Sequence, residues 1–429
     1  MSDSLVYAGQ YSLIAIDILQ PNGGLAVDIR DQVSLITIYE DLFSPFMSGN
    51  LVMSDTVDLP ALFGDSGTDL LRLVIKTPTI NKEQEINRLF HIYRLSDQQK
   101  TGERAQTYVY HFVALESLIE SGMNLSRTFR GKAEDNIKKI LTDDISTSVP
   151  FNIDSTTSDI TYTSNYWSPI KNFSYNADLA VCSEDNTPSM IFFENRKGFN
   201  FKSLAKMSNE EPKLYFTTDN SLSSIATDGM NSGDVFKDLA NDYRNILLVR
   251  IPALYDYIKD KANGALSTRM FSYDTVTKKF TDTTYTANDD TRARANPNKF
   301  YTEKLISGSF KGTNSTVMLN QAHHMKLYDN TTEVSDYKVK QQRIGIINQM
   351  QQHRIEITVF GRTDYTVGRT VKVDINALRQ FDNKTSKDDI YDPMLSGKYL
   401  ISAVAHRFDR TGKHECTLEL IRDSIGKTK

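Results

Sequence analysis

At 429 residues, with 39% hydrophobic and 24% charged, the chain carries enough apolar material for roughly two to four packed domains, which excludes a disordered or membrane composition. A formal net charge of −4 excludes a protein that grips nucleic acid or anionic lipid by bulk electrostatics. Two cysteines, Cys182 and Cys416, exclude a disulfide framework and suit a reducing cytoplasm. The apolar runs, such as 246–249, fall far short of the roughly 20 residues a membrane helix needs, and no secretory leader opens the sequence.

Residues 1–118 read as strand. YSLIAIDI (11–18) and VSLITIYEDL (33–42) are β-rich runs around the turn signal Pro21-Asn22-Gly23-Gly24. SGNLVMSD (48–55) and LLRLVIKT (70–77) follow, and a hairpin over 87–115 turns at Thr101-Gly102-Glu103. In its second arm Tyr108, Tyr110 and Phe112 share one face, and Val109, His111 and Val113 the other. That strand is expected to be covered on both sides.

Residues 119–206 read as an α+β region. Ala133, Ile137, Ile140 and Leu141 recur at helical spacing, with Glu134 and Asp135 in the first turn, where acids suit the helix dipole. Ser168 and Pro169 predict the N-cap and first position of a second helix, its inner face Ile170, Phe173, Ala177 and Ala180. Trp167, the one tryptophan, is expected to staple that helix entrance; an interdomain anchor is the sharper alternative. SMIFFEN (189–195) and GFNFKSL (198–204) read as a strand pair.

A third region, 207–334, holds an expected helix at 233–243, an extended run at 245–258 and a polar insertion at about 274–304. Residues 335–429 begin with a helix over 335–353 and return to strands at 354–361 and 366–375. There Val371, Val373 and Ile375 alternate with Thr370, Lys372 and Asp374, the pattern of a half-buried strand. A second hairpin over 396–424 turns at Thr411-Gly412-Lys413, so the chain carries one hairpin pattern twice, with most of its length in between.

Motifs for chemistry are missing. HExxH, CxxC, GxSxG, GxxxxGK[ST] and GxGxxG do not occur. The histidines are His91, His111, His323, His324, His353, His406 and His414; only His323-His324 are adjacent, and neighbours on a strand point to opposite faces. Asp143-Asp144, Asp289-Asp290 and Asp388-Asp389 lie in polar stretches, whereas a general acid needs partial burial. They read as solvated surface. No catalytic, cofactor-binding or metal-binding residue is therefore assigned, and no enzyme is expected. The 21 Tyr and 21 Phe are spread along alternating strands without interleaved cationic clusters, and read as core and interface material.

Four segments, taken in order, resemble the central baseplate hub protein of contractile-tailed bacteriophages of the T-even type. They are SLITIYEDLFSPFMSGNLVMSD; SPIKNFSYNADLA followed by SMIFFENRKGFNF; EEPKLYF; and GKYLISAVAHRFDRTGKHECTLEL. The resemblance implies a β-rich α+β chain with two related, barrel-like antiparallel tube domains (1–118 and 335–429) and α+β domains attached. It implies a homotrimer whose six tube domains form a pseudo-sixfold ring, a symmetry adaptor between hexameric tail tube and trimeric central spike. The implied partners are further copies of itself, the spike protein, tail-tube or tube-initiator proteins, the tape measure protein and baseplate wedge proteins, with DNA only in transit. The implied location is the virion tail baseplate, assembled in the host cytoplasm. Two alternatives stand beside it: the hub portion of a secretion-system spike, and a cell-wall-degrading tail enzyme. The first would continue into repetitive spike sequence, and no such repeats precede Lys429.

Overall fold

The structure, a computed structural model, describes residues 5–21, 24–63, 67–78, 85–157, 159–218, 239–253, 256–265, 267–275, 278–286, 316–321, 336–378 and 390–424. The N-terminal third is built by strict alternation. After β1 (Ser12–Leu19) and β2 (Ala26–Asp28) come β3 (Val33–Asp41) and β4 (Ser48–Asp55), in which Leu51 and Met53 are wholly buried. A short helix α1 (Leu59–Phe63) leads to β5 (Leu70–Lys76) and the long hairpin β6 (Ile86–Lys100) and β7 (Gln106–Ala114). Tyr108, Tyr110 and Phe112 of β7 enter the core, while Val109, His111 and Val113 are half-buried on the opposite face.

Gly49 lets β4 lie between β3 and β7. A Cβ there would stand 2.3 Å from both the Phe112 ring and the Thr37 carbonyl. Gly49→Ala is expected to destabilise by about 1–3 kcal/mol through overpacking, read as a lower thermal midpoint.

The middle region holds α2 (Leu115–Ser121), β8 (Thr128–Phe129), α3 (Ala133–Lys139) running into a π-helical turn, β9 (Phe151–Ile153) and β10 (Tyr162–Thr163). It continues with α4 (Pro169–Leu179), β11 (Met190–Asn195), β12 (Gly198–Ser203) and α5 (Leu204–Asn209). The Ser168 hydroxyl accepts from Lys171 N, and Pro169 opens α4, as the sequence predicts. Phe173, Ala177 and Ala180 are buried, but so are Asn172 and Asn176. These two are satisfied internally: Tyr162 Oη donates to Asn172 Oδ1 (2.9 Å), and Asn176 Nδ2 donates to Tyr162 Oη (2.8 Å). Trp167 is half-buried against Tyr162 and Tyr175, at ring separations of 6.0 and 5.2 Å, all within this region.

Next come β13 (Leu214–Thr217), β14 (Ile246–Ala253), α6 (Tyr257–Ala262), β15 (Ser267–Tyr273), β16 (Phe280–Thr286) and β17 (Thr316–Gln321). The run expected to be extended through residue 258 thus ends in a helix. The described part of the polar stretch is one arm of the β15–β16 hairpin; residues 287–304 and most of the expected helix at 233–243 lie outside the described residues. The chain closes with α7 (Asp336–Met350), β18 (His353–Phe360), β19 (Thr370–Asp374), β20 (Gly397–Asp409) and β21 (His414–Arg422). In β19, Thr370 and Asp374 are buried along with the valines, because β13 pairs in parallel beside them. Thr370 Oγ1 donates to Glu211 O, and Tyr215 Oη to Asp374.

One 13-stranded sheet contains both β-rich regions, in the order β14-β18-β21-β20-β3-β4-β7-β6-β5-β1-β2, with β13 and β19 branching from β20. Two barrel-like domains are the expectation; among the described residues the sheet is instead continuous and open. The cause is the length of β20. Its first residues pair with β19 and its later ones, Ala403 to Asp409, with Leu35 to Asp41 of β3. Large apolar clusters pack on either side of that seam, one on β1–β7 and one on β18–β21 with β11 and β13.

Candidate assembly surface

The sheet contains one five-strand unit twice. In the first, the antiparallel pairs are β3·β4, β4·β7, β7·β6 and β6·β5. In the second they are β14·β18, β18·β21, β21·β20 and β20·β19, also antiparallel and met in the same order along the chain. The two hairpins recognised in the sequence are the same arms of this unit. Both long first arms carry a register shift near their middle, between Ile92 and Arg94 in β6 and between Ile401 and Ala403 in β20. In each arm the residues before the shift pair outward with a short strand, β5 or β19.

Beyond the shift the arms differ. In β20 the outer edge is taken by β3. In β6 the matching stretch, from Arg94 to Lys100, has no outward strand partner among the described residues. At the far end of the sheet β14, the counterpart of β3, pairs only with β18 among the described strands. Among the described residues, the chain therefore closes one seam internally and leaves one edge of each kind open. The β14 edge is apolar where it faces out, with Leu248 61% exposed and Leu247 and Ile251 also exposed. The open stretch of β6 is instead polar, with Arg94, Asp97, Gln98, Gln99 and Lys100 exposed just past the exposed Tyr93. Open edges of this kind are sites of strand addition.

Behind the seam lies a buried charge cluster. Glu194, at the end of β11, is ion-paired with Arg88 of β6 and accepts from Met47 N at 2.8 Å. Glu40 of β3 is wholly enclosed and accepts from Thr366 Oγ1 (2.6 Å), Val367 N and Arg196 N. Burial pushes its carboxyl up from the ordinary value, opposed by these bonds and by Arg196. The cluster ties β11 and the 362–369 loop to the sheet. Nearby, a cleft of about 510 Å³ is lined by Lys197, Lys202, Lys213 and Arg369. Burial and the neighbouring cations push the Lys197 ammonium down.

The residues that the sequence offers for chemistry scatter. His91 is buried with Nε2 on Gly67 O, and His111 contacts Ser96 Oγ at 2.9 Å. Asp144 is bound to Arg127, and Asp143 accepts from Thr142. His323, His324, Asp289, Asp290, Asp388 and Asp389 lie outside the described residues. One grouping is not evident from the sequence: His406, His414 and Cys416 converge across the β20–β21 hairpin, all at 0% exposure. His414-x-Cys416 on one strand face, opposite His406, is its sequence signal.

No protein-family model matches the chain, and no curated protein matches it by sequence. Solved structures do match. The tail protein from Neisseria meningitidis MC58 aligns with a TM-score of 0.55 at 11% identity, covering 98% of this chain and 100% of that one. The 43 kDa tail protein of prophage MuSo2 from Shewanella oneidensis gives 0.54 at 9% identity, over 95% and 98%. A weaker likeness, 0.46 at 9% identity, reaches prophage tail protein gp18 from Listeria monocytogenes EGD-e, over 94% of each chain. The chain thus has the fold of phage tail proteins along nearly its whole length. No helix among the described residues is long and apolar enough to cross a membrane.

Proposed function

We propose that this chain is a structural hub of a phage tail baseplate, acting as a homotrimer and not as an enzyme. The observation that carries the reading is the repeated five-strand unit with one complementary pair of open edges. If β14 of one copy adds to β6 of the next as β3 adds to β20 within the chain, each copy contributes two units and a head-to-tail ring forms. Cyclic closure then covers both members of this pair of edges in every copy. Three copies give six units, one face matching a hexameric tube and the other a trimeric spike. Tube-initiator, tape measure and wedge proteins are the further partners of such a hub. DNA passes through the ring without being held, in keeping with the net charge of −4.

The test is assembly with the spike protein, by mass measurement and cryo-electron microscopy. Three copies around an open channel are expected, with interfaces on the order of 2,000 Å² or more. Leu248→Lys, on the exposed edge of β14, is expected to abolish the ring while circular dichroism stays unchanged. Two or six copies per ring, or a solid centre, would sink the reading.

A further inference from the structure

We propose that His406, His414 and Cys416 form a buried site for a transition-metal ion that prefers imidazole and thiolate ligands, with Zn²⁺ the first candidate. The three ligand atoms stand at the corners of a small triangle. His406 Nδ1 is 3.1 Å from His414 Nε2 and 3.1 Å from Cys416 Sγ, and Sγ is 3.3 Å from His414 Nε2. Zinc bonds of about 2.0–2.1 Å to nitrogen and 2.3 Å to sulfur, at tetrahedral angles, set such atoms roughly 3.3–3.6 Å apart. A shift of a few tenths of an ångström admits the ion.

The surroundings fit as well. His406 Nε2 lies 3.2 Å from the Tyr365 carbonyl, which can only accept, so the proton sits on Nε2 and the Nδ1 lone pair faces the triangle. A carbonyl behind a ligating imidazole is the usual outer partner at metal sites. Burial pushes the Cys416 thiol well up from its ordinary value, opposed by the Arg362 backbone N–H as a hydrogen-bond partner of the sulfur. The His414 ring is fixed by Phe408, stacked at 4.0 Å, and by Gly361, where a Cβ would stand 2.3 Å from it. His414 Nδ1 has no partner among the described residues, so its proton can reside there and leave Nε2 free to ligate. Thiolate and dication leave one positive charge, and Glu40, Asp364 and Glu415 lie near enough to act on the sulfur. Loading releases the Cys416 thiol proton to solvent as the metal–sulfur bond forms. A fourth ligand, a water or hydroxide, completes the tetrahedron.

The competing arrangement needs no ion: Cys416 S–H donates to His406 Nδ1, and His414 Nε2–H donates to Sγ. Elemental analysis of the full chain separates the two, after purification without chelator and incubation with Zn²⁺ under reducing conditions. One zinc per chain is expected, falling at least tenfold in Cys416→Ala and in His406→Gln. Cobalt substitution should give a thiolate-to-metal charge-transfer band, and chelator should lower the thermal midpoint of the parent but not of Cys416→Ala. Where a variant does not fold, X-ray absorption of the parent protein decides, with one sulfur at about 2.3 Å and two imidazole nitrogens at about 2.0–2.1 Å expected. Folded protein with under a tenth of an equivalent overturns the proposal in favour of the hydrogen-bonded triad. Zinc retained in both variants, or a shell without sulfur, overturns it in favour of other ligands. A Cu⁺ arm run in parallel, if it alone loads with the same sulfur and nitrogen shell, supports the site and changes the ion.

Discussion

Glu194→Ala is expected to cost about 3–5 kcal/mol, because it strands the Arg88 guanidinium in the interior. The Glu194 side chain is 0% exposed and that of Arg88 9%, so water cannot replace the lost partner. Burial already pulls Arg88 down from its ordinary value, opposed by Glu116 and Glu40, and those two carboxylates place the expected cost toward the lower end of the range. Met47 N loses its acceptor as well. The loss falls on the attachment of β11 to the sheet, and Trp167 reports on that region. The midpoint of its fluorescence transition in urea should drop. Adding Arg88→Met to Glu194→Leu should recover most of the loss, since an apolar pair removes both charges. A Glu194→Ala midpoint equal to the parent's would show that the ion pair contributes nothing.

Acidification from pH 7 to pH 4 is expected to remove roughly 3 kcal/mol through His353 alone. Its imidazole is 2% exposed at the start of β18, opposite Arg422 of β21. Burial, and then the Arg422 charge, hold its pKa down to about 3. An unfolded histidine titrates near 6.5, so the unfolded chain takes up this proton first. The contribution is fully present above about pH 6.5 and is lost as pH falls toward the folded value. His353→Leu keeps the site apolar and should flatten this part of the acid limb. Parallel pH profiles for parent and variant would refute the assignment.

Local patterns make the strands and the α4 helix legible in the sequence, because alternation and capping act over a few residues. Ser168-Pro169 and the two hairpin tips are read from neighbours alone. The pairing of β14 with β18 is not legible, since residues 254–352 separate them and periodicity names a strand without naming its partner. The seam between β3 and β20 is hidden for the same reason. Asn172 and Asn176 look like an exposed helix face until Tyr162 is brought onto them by the fold. The His–His–Cys grouping escapes motif searches because the familiar motifs have helix or loop spacing, whereas these ligands sit two apart on a strand and opposite each other across a hairpin.

The connection between the first two strands of the unit has very different lengths in its two copies. Between β3 and β4 it is the turn from Leu42 to Met47, and between β14 and β18 it is residues 254–352, which carry α6, the β15–β16–β17 sheet and α7. Strand pairing survives either way, so this corner of the fold is neutral ground where sequence can be gained without disturbing the frame. A gene that had doubled such a unit could keep both copies in register and let only one of them grow. In the short copy, however, Met47 N and Phe46 are held by Glu194 and Phe199, so the Leu42–Met47 turn is a poor place for engineered cargo and its long counterpart is the natural point of fusion.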